Sequence, residues 1–266
     1  MNLRKLIIAL IVFPVAIISL PGCNGLFDGV YDNPPADEPE TVAGQLYIDA
    51  SDWTKWHYID LHVLADSVSA NPSFNTSSLW DTRDIPLKAT GQTVETDPSE
   101  ELPGIYTYWY DVYGAGVDHY EFRSFYPTEG QSEPEEWTLA VHRNNVRTNG
   151  GAVAATAFDS FEELPEDRSF YAGLDFKPDT WNQSDVWTVQ DRMLLGIIGN
   201  QGIAVNDVLS SWLTMDIPPM PPAFFHNSKV FILRLSDGSM AAIQLQNYLS
   251  STGTRCCLTI NYRYPL

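Results

Sequence analysis

From Gln45 to Tyr264 the chain alternates between short runs of β-branched and aromatic residues and clusters of Ser, Asp, Thr, Gly and Pro. The runs are Gln45–Ala50, Trp56–Leu61, Ile105–Tyr113, Tyr120–Tyr126, Trp137–Arg143, Lys229–Leu235, Met240–Gln246 and Cys257–Tyr264. Their apolar residues mostly recur at every second position, the period of a strand whose side chains point alternately to two faces. Asp237-Gly238, set between two such runs, marks a tight primed hairpin because the turn needs positive φ at its centre. Helical signals are confined to Ser160–Leu164, with a cap and first-turn acids, and Asn206–Leu213, with helical apolar spacing. Residues 66–104 are polar and read as long loops. The chain is thus expected to be all-β, one domain of mainly antiparallel strands with few short helices over residues 44–266.

Two segments precede that domain. Arg4-Lys5, an apolar stretch Leu6–Leu20 and Leu20-Pro21-Gly22-Cys23 read as a secretory signal over residues 1–22, too short to span a bilayer. Residues 23–43, rich in Pro, Gly and acid, have too little to bury and read as a flexible tether. The 266-residue chain has 15 Lys and Arg against 34 Asp and Glu; loss of residues 1–22 removes two cations and leaves −21. Such a field repels phosphate backbones and excludes nucleic acid as a partner. Three cysteines make neither a disulfide framework nor a four-cysteine zinc site.

Templates for catalysis are missing: no phosphate-cradling Gly-rich loop, nucleophile elbow or His-Glu-x-x-His occurs. Glu135/Glu136 and Glu162/Glu163 read as solvated acids, and Cys256-Cys257 as two packed thiols on opposite faces of a strand. The reading is a non-enzyme. The most distinctive stretch is Asp216-Ile217-Pro218-Pro219-Met220-Pro221-Pro222, where four prolines fix the backbone around one methionine. Met220 fits either a core plug or a soft thioether ligand for iron in haem or for cuprous ion. Met193, in Asp191-Arg192-Met193-Leu194-Leu195-Gly196-Ile197-Ile198-Gly199, has apolar neighbours that suit a porphyrin cleft or an ordinary core.

Trp137-Thr138-Leu139-Ala140-Val141-His142-Arg143, followed by Thr148-Asn149-Gly150-Gly151, resembles the signature of the HmuY-like family of Bacteroidetes haem-binding lipoproteins. Leu209–Leu213, Met220–Pro222, Lys229–Arg234 with Asp237-Gly238, and Leu258–Pro265 are similar to that family in order and spacing. The resemblance spans roughly Gln45 to Leu266. It implies a haemophore: an outer-membrane protein anchored through acylated Cys23 in a lipobox-like Leu-Pro-Gly-Cys, on the periplasmic or the cell-surface face. Such a protein captures haem b (iron protoporphyrin IX), in some settings from host haemoproteins, and passes it to a TonB-dependent receptor. Where a bis-histidine member has its second ligand this chain has Ile217, whereas Met193 and Met220 match the positions of a methionine pair. Two thioethers favour ferrous iron. Arg192, Arg147 and Lys229 are the candidates for the propionates; His226, then His119, are the alternative axial ligands. His142 reads as a satisfied buried histidine, and Asn149-Gly150-Gly151 as a turn needing positive φ. Two other readings stand beside this one: a surface glycan-binding lipoprotein that uses some of the 8 Trp and 13 Tyr as stacking platforms, and a member that has lost its haem site.

Overall fold

The computed structural model describes residues 43–71, 80–85, 93–94, 105–109, 116, 118–124, 131–182, 185–188, 199–216 and 223–266. In chain order the strands and helices are β1 (Gln45–Asp49), β2 (Lys55–Ile59), α1 (Leu61–Ala70), β3 (Asp81–Asp84), β4 (Thr93–Val94), β5 (Ile105–Trp109), β6 (Tyr120–Ser124), β7 (Leu139–His142), β8 (Asn145–Thr148) and β9 (Ala152–Ala155). After a 3-10 turn at Phe161–Glu163 come α2 (Arg168–Ala172), β10 (Lys177–Pro178), β11 (Thr180–Asn182), β12 (Trp187–Thr188), β13 (Gly199–Asn200), β14 (Ile203–Val205), α3 (Asp207–Ser210), β15 (Leu213–Asp216), β16 (Ala223–His226), β17 (Phe231–Arg234), β18 (Met240–Leu249) and β19 (Arg255–Arg263). The strand pairs are antiparallel, and the all-β expectation holds.

Two sheets carry the core. One has the order β1-β19-β18-β17-β9-β10, the other β3-β2-β7-β8. Alternate residues of both feed a single apolar cluster: Leu46 and Ile48 from β1, Val141 and Val146 from β7 and β8, Phe231 and Leu233 from β17, and Leu258 and Ile260 from β19. The outer faces are covered as well. Trp56, Tyr58 and Ala140 pack with Trp137, Val186, Ile203 and Val205, while Val230, Ile232 and Ala242 pack with Leu164 and Tyr171. With both faces covered, β7 is buried at all four positions, Leu139–His142. Among the described residues no helix is long and apolar enough to cross a membrane.

Local chemistry departs from the sequence reading at several places; residues 66–104, expected as long loops, hold the last turns of α1 and the strands β3 and β4. The β17–β18 hairpin forms, but Leu235 N donates to Ser239 O at 2.8 Å, which closes a three-residue loop instead of a two-residue primed turn. Gly238 alone in that loop has positive φ, +85°. The Trp56–Leu61 run ends at Asp60, whose carboxylate accepts from His62 N at 2.8 Å and caps α1, so Leu61 starts a helix. Ser160–Leu164 gives only a 3-10 turn, and α2, capped by Asp167, has no counterpart in the sequence reading. In Asn206–Leu213 the helix stops at Ser210, and Leu213 starts β15.

Candidate functional site

Two short hairpins stand apart from the large sheets. In the first, β12 pairs with β13, Trp187 opposite Asn200 and Thr188 opposite Gly199. The connection 189–198 that they close contains Arg192 and Met193, which lie outside the described residues. In the second, β15 pairs with β16, from Leu213 opposite His226 to Asp216 opposite Ala223. Its connection, 217–222, contains Met220 and the four prolines, again outside the described residues, as is Cys23. What the structure defines is how the hairpins are rooted. Val186, just before β12, and Ile203, just after β13, are buried in the cluster around Trp56 and Trp137. Gln201 bonds at the foot of the same hairpin: Trp56 Nε1 donates to its Oε1 at 2.8 Å, and its Nε2 donates to Gln131 Oε1 at 2.7 Å. Trp212 and Leu213, where the second hairpin begins, are fully buried in the main core.

The other candidates fall as follows. Arg147 is largely buried: its guanidinium meets Glu133 at 2.8 Å, donates through Nε to the Ala204 carbonyl at 3.1 Å and lies 5.5 and 5.4 Å from the Trp56 and Trp137 ring centres. Lys229 is more exposed, and its ammonium is shared between Asp159 at 2.8 Å and the Ala157 carbonyl at 3.0 Å. A ligand carboxylate must therefore displace a resident one at either position. His226 is exposed on β16, and its Nε2 donates to the Leu245 carbonyl at 2.8 Å. His119 is exposed beside β6. Among the described residues no three of His, Cys, Asp and Glu converge on a site that could hold a metal ion.

Within the Trp137–Gly151 stretch, His142, Arg143, Gly150 and Gly151 make framework contacts. His142 is fully buried, its Nε2 is 2.8 Å from the Trp53 carbonyl, and burial pushes the imidazole down to about 4. Arg143 takes φ +53° in the β7–β8 turn, lies 3.6 Å from the Trp53 ring centre and donates to the Ser51 carbonyl at 2.6 Å. Gly150 has φ +67°. Gly151 is needed for a different reason: a Cβ there would lie 2.8 Å from the Arg234 carbonyl oxygen of β17. Cys256 and Cys257 are free thiols, the first in the main core and the second 3.5 Å from an Asp49 carboxylate oxygen. A glycan platform requires a row of exposed rings; among the described side chains the large exposed apolar groups are Val63, Tyr120 and Phe225, which make no such row of Trp or Tyr.

Sequence reasoning missed Glu133, Asp179 and Gln201, whose roles are set by partners far away in the chain. Asp179 is half-buried, accepts from Thr148 N at 2.7 Å, Thr148 Oγ1 at 2.9 Å and Asn206 Nδ2 at 3.1 Å, and its carboxyl is pushed up from its ordinary value by desolvation. No local pattern marks it.

Comparison with known proteins bears on this arrangement. No curated protein matches the chain. A solved structure from Bacteroides vulgatus, assigned as an HmuY-like haem-binding protein, is 27% identical with a TM-score of 0.54, covering 87% of this chain and 97% of its own. A second, from Bacteroides fragilis and assigned as a lipoprotein, is 26% identical with a TM-score of 0.54 over 84% of this chain and 89% of its own. The apo HmuY analog of Tannerella forsythia, 20% identical over 82% of this chain and 93% of its own, shares the fold at a TM-score of 0.51. The family model of the HmuY protein matches residues 52–262, most of the chain, and the chain therefore belongs to the HmuY family.

Proposed function

We propose that this protein is a haemophore that takes iron protoporphyrin IX (haem b) as cargo, with the thioethers of Met193 and Met220 as the two axial ligands. The observation that carries the reading is topological. The two methionines fall in the connections of two hairpins whose feet are rooted in apolar clusters, and only residues 201–212 join those hairpins. The donor set agrees: two neutral, soft sulfurs flanked by apolar sequence suit ferrous haem. Membership of the HmuY family and the haem-binding assignment of the Bacteroides vulgatus relative support the same reading.

Arg192, next to Met193, is the propionate partner we favour, since Arg147 and Lys229 already hold carboxylates. Residues 1–22 serve as a signal, acylated Cys23 as an outer-membrane anchor and residues 23–43 as a tether; the likeness to the Bacteroides fragilis protein assigned as a lipoprotein fits this. The cargo passes to a TonB-dependent receptor, and the role is binding and delivery without catalysis. The test is a haem titration followed by visible absorption, oxidised and dithionite-reduced, alongside Met193→Ala and Met220→Ala. A one-to-one, six-coordinate complex, tighter when reduced and degraded by either substitution, is expected. Saturation untouched by both substitutions overturns the ligand assignment and sends the search to His226.

A further inference from the structure

The link between the two hairpins, residues 201–212, does not run free. It lies along the edge of β8 that β7 leaves open, and three bonds join them: Arg147 Nε to the Ala204 carbonyl at 3.1 Å, Asn206 N to the Val146 carbonyl at 2.8 Å and Val146 N to Ser210 Oγ at 3.0 Å; a fourth, Trp212 Nε1 to the Asn144 carbonyl at 3.3 Å, reaches the β7–β8 turn just before β8. Asp179 adds a brace by accepting from Thr148 on β8 and from Asn206 on the link. Asn206 is fully buried, and its side-chain oxygen also caps α3 by accepting from Leu209 N at 3.0 Å. A strand edge normally satisfies its backbone by pairing with another strand; here the connector of the two hairpins takes that place.

We propose that β8 is the spacer that fixes the separation of the two hairpins, with Arg147 as its positioning residue. The guanidinium acts on the link through the Ala204 carbonyl, and Glu133 is its standing counter-ion, so it does not receive a cargo carboxylate. A planar fork held by a carboxylate, a carbonyl and two indole rings keeps its geometry better than a flexible ammonium. The inference rests on the two-hairpin reading of the cargo site for its functional meaning, and on β8 alone for its geometry.

The experiment uses the detergent-solubilised full chain as wild type, Arg147→Met, Arg147→Lys and Glu133→Gln. Amide hydrogen exchange is measured without ligand; haem and haem dimethyl ester, which has no free propionates, are then titrated. Arg147→Met is expected to speed exchange about tenfold across residues 199–216 and to leave β18 and β19 unchanged, as loss of a charge-assisted bond in one local unit should do. It is expected to weaken haem and its dimethyl ester alike, about tenfold, with Arg147→Lys restoring part of the loss. Unchanged exchange at 199–216 overturns the spacer. A loss confined to haem, with the ester unaffected, makes Arg147 a propionate partner instead. Glu133→Gln separates the same two outcomes under a milder perturbation: a freed propionate partner binds haem more tightly, whereas a spacer robbed of its counter-ion binds both ligands equally or more weakly. If wild type binds neither ligand the haemophore reading fails, and the exchange data still decide the spacer.

Discussion

His142 makes the fold sensitive to mild acid, and the size of the effect follows from its surroundings. In the unfolded chain its imidazole titrates near its ordinary value of 6.5, whereas burial brings it down to about 4 in the folded protein. Between these values the unfolded state binds a proton that the folded state refuses, so stability falls as pH falls through the window and is regained as pH rises. The full window, two and a half pH units, is worth about 3 kcal/mol at about 1.4 kcal/mol per unit. From pH 7 to pH 5 the loss is about 2 kcal/mol. His57, also lowered by burial, adds to it with the same sign. The substitution to make is His142→Gln, because a glutamine amide can still donate to the Trp53 carbonyl but does not titrate. Urea unfolding of both proteins at pH 7 and pH 5 gives the answer: wild type should lose about 2 kcal/mol more than the variant over that interval. Equal losses would mean that the ring is solvated or protonated in the folded state, and the description of the β2–β7 interior would be wrong.

Gly151→Ala places a Cβ 2.8 Å from the Arg234 carbonyl oxygen; since backbone cannot swing aside, a loss of about 1–3 kcal/mol is expected, read as a fall in Tm. Gly238→Ala meets no neighbouring atom but keeps φ +85°, so its cost, about 1 kcal/mol by unfolding, comes from the backbone alone. Cys256 and Cys257 should resist iodoacetamide at pH 8 until the protein is unfolded, because both are buried and burial pushes the Cys256 thiol up to about 11; rapid native alkylation, located by mass spectrometry, would contradict their placement.

The parts of the fold that could be read from sequence are those whose physics is local. β17, β18 and β19 stand out as runs of apolar and β-branched residues, and Asp237-Gly238 marks the β17–β18 hairpin, although Ser236 joins the loop and lengthens it. α1 escaped because Asp60 looks like the end of a strand. Its helical signal was present in Asp60 followed by Leu61, Leu64 and Val68, the first two buried and the third packed against the core. The Trp137–Gly151 signature was legible as a pattern, but its purpose was not. His142 serves the Trp53 loop, Gly151 serves β17 and Arg147 serves Ala204, partners 89, 83 and 57 residues away. Arg147 shows the limit best: from sequence it is one cation in an acidic chain, and no local pattern announces its contact with Glu133 or its place 5.5 and 5.4 Å from the Trp56 and Trp137 ring centres.

The proposed pair of thioethers on one haem iron is reported most directly by the reduction potential of the bound haem. A spectroelectrochemical titration of wild type, Met193→His and Met220→His should give the highest potential for wild type and a lower one for each variant, because replacing a thioether by an imidazole withdraws the preference for ferrous iron. If both variants keep the wild-type potential, neither methionine is a ligand and the central claim fails.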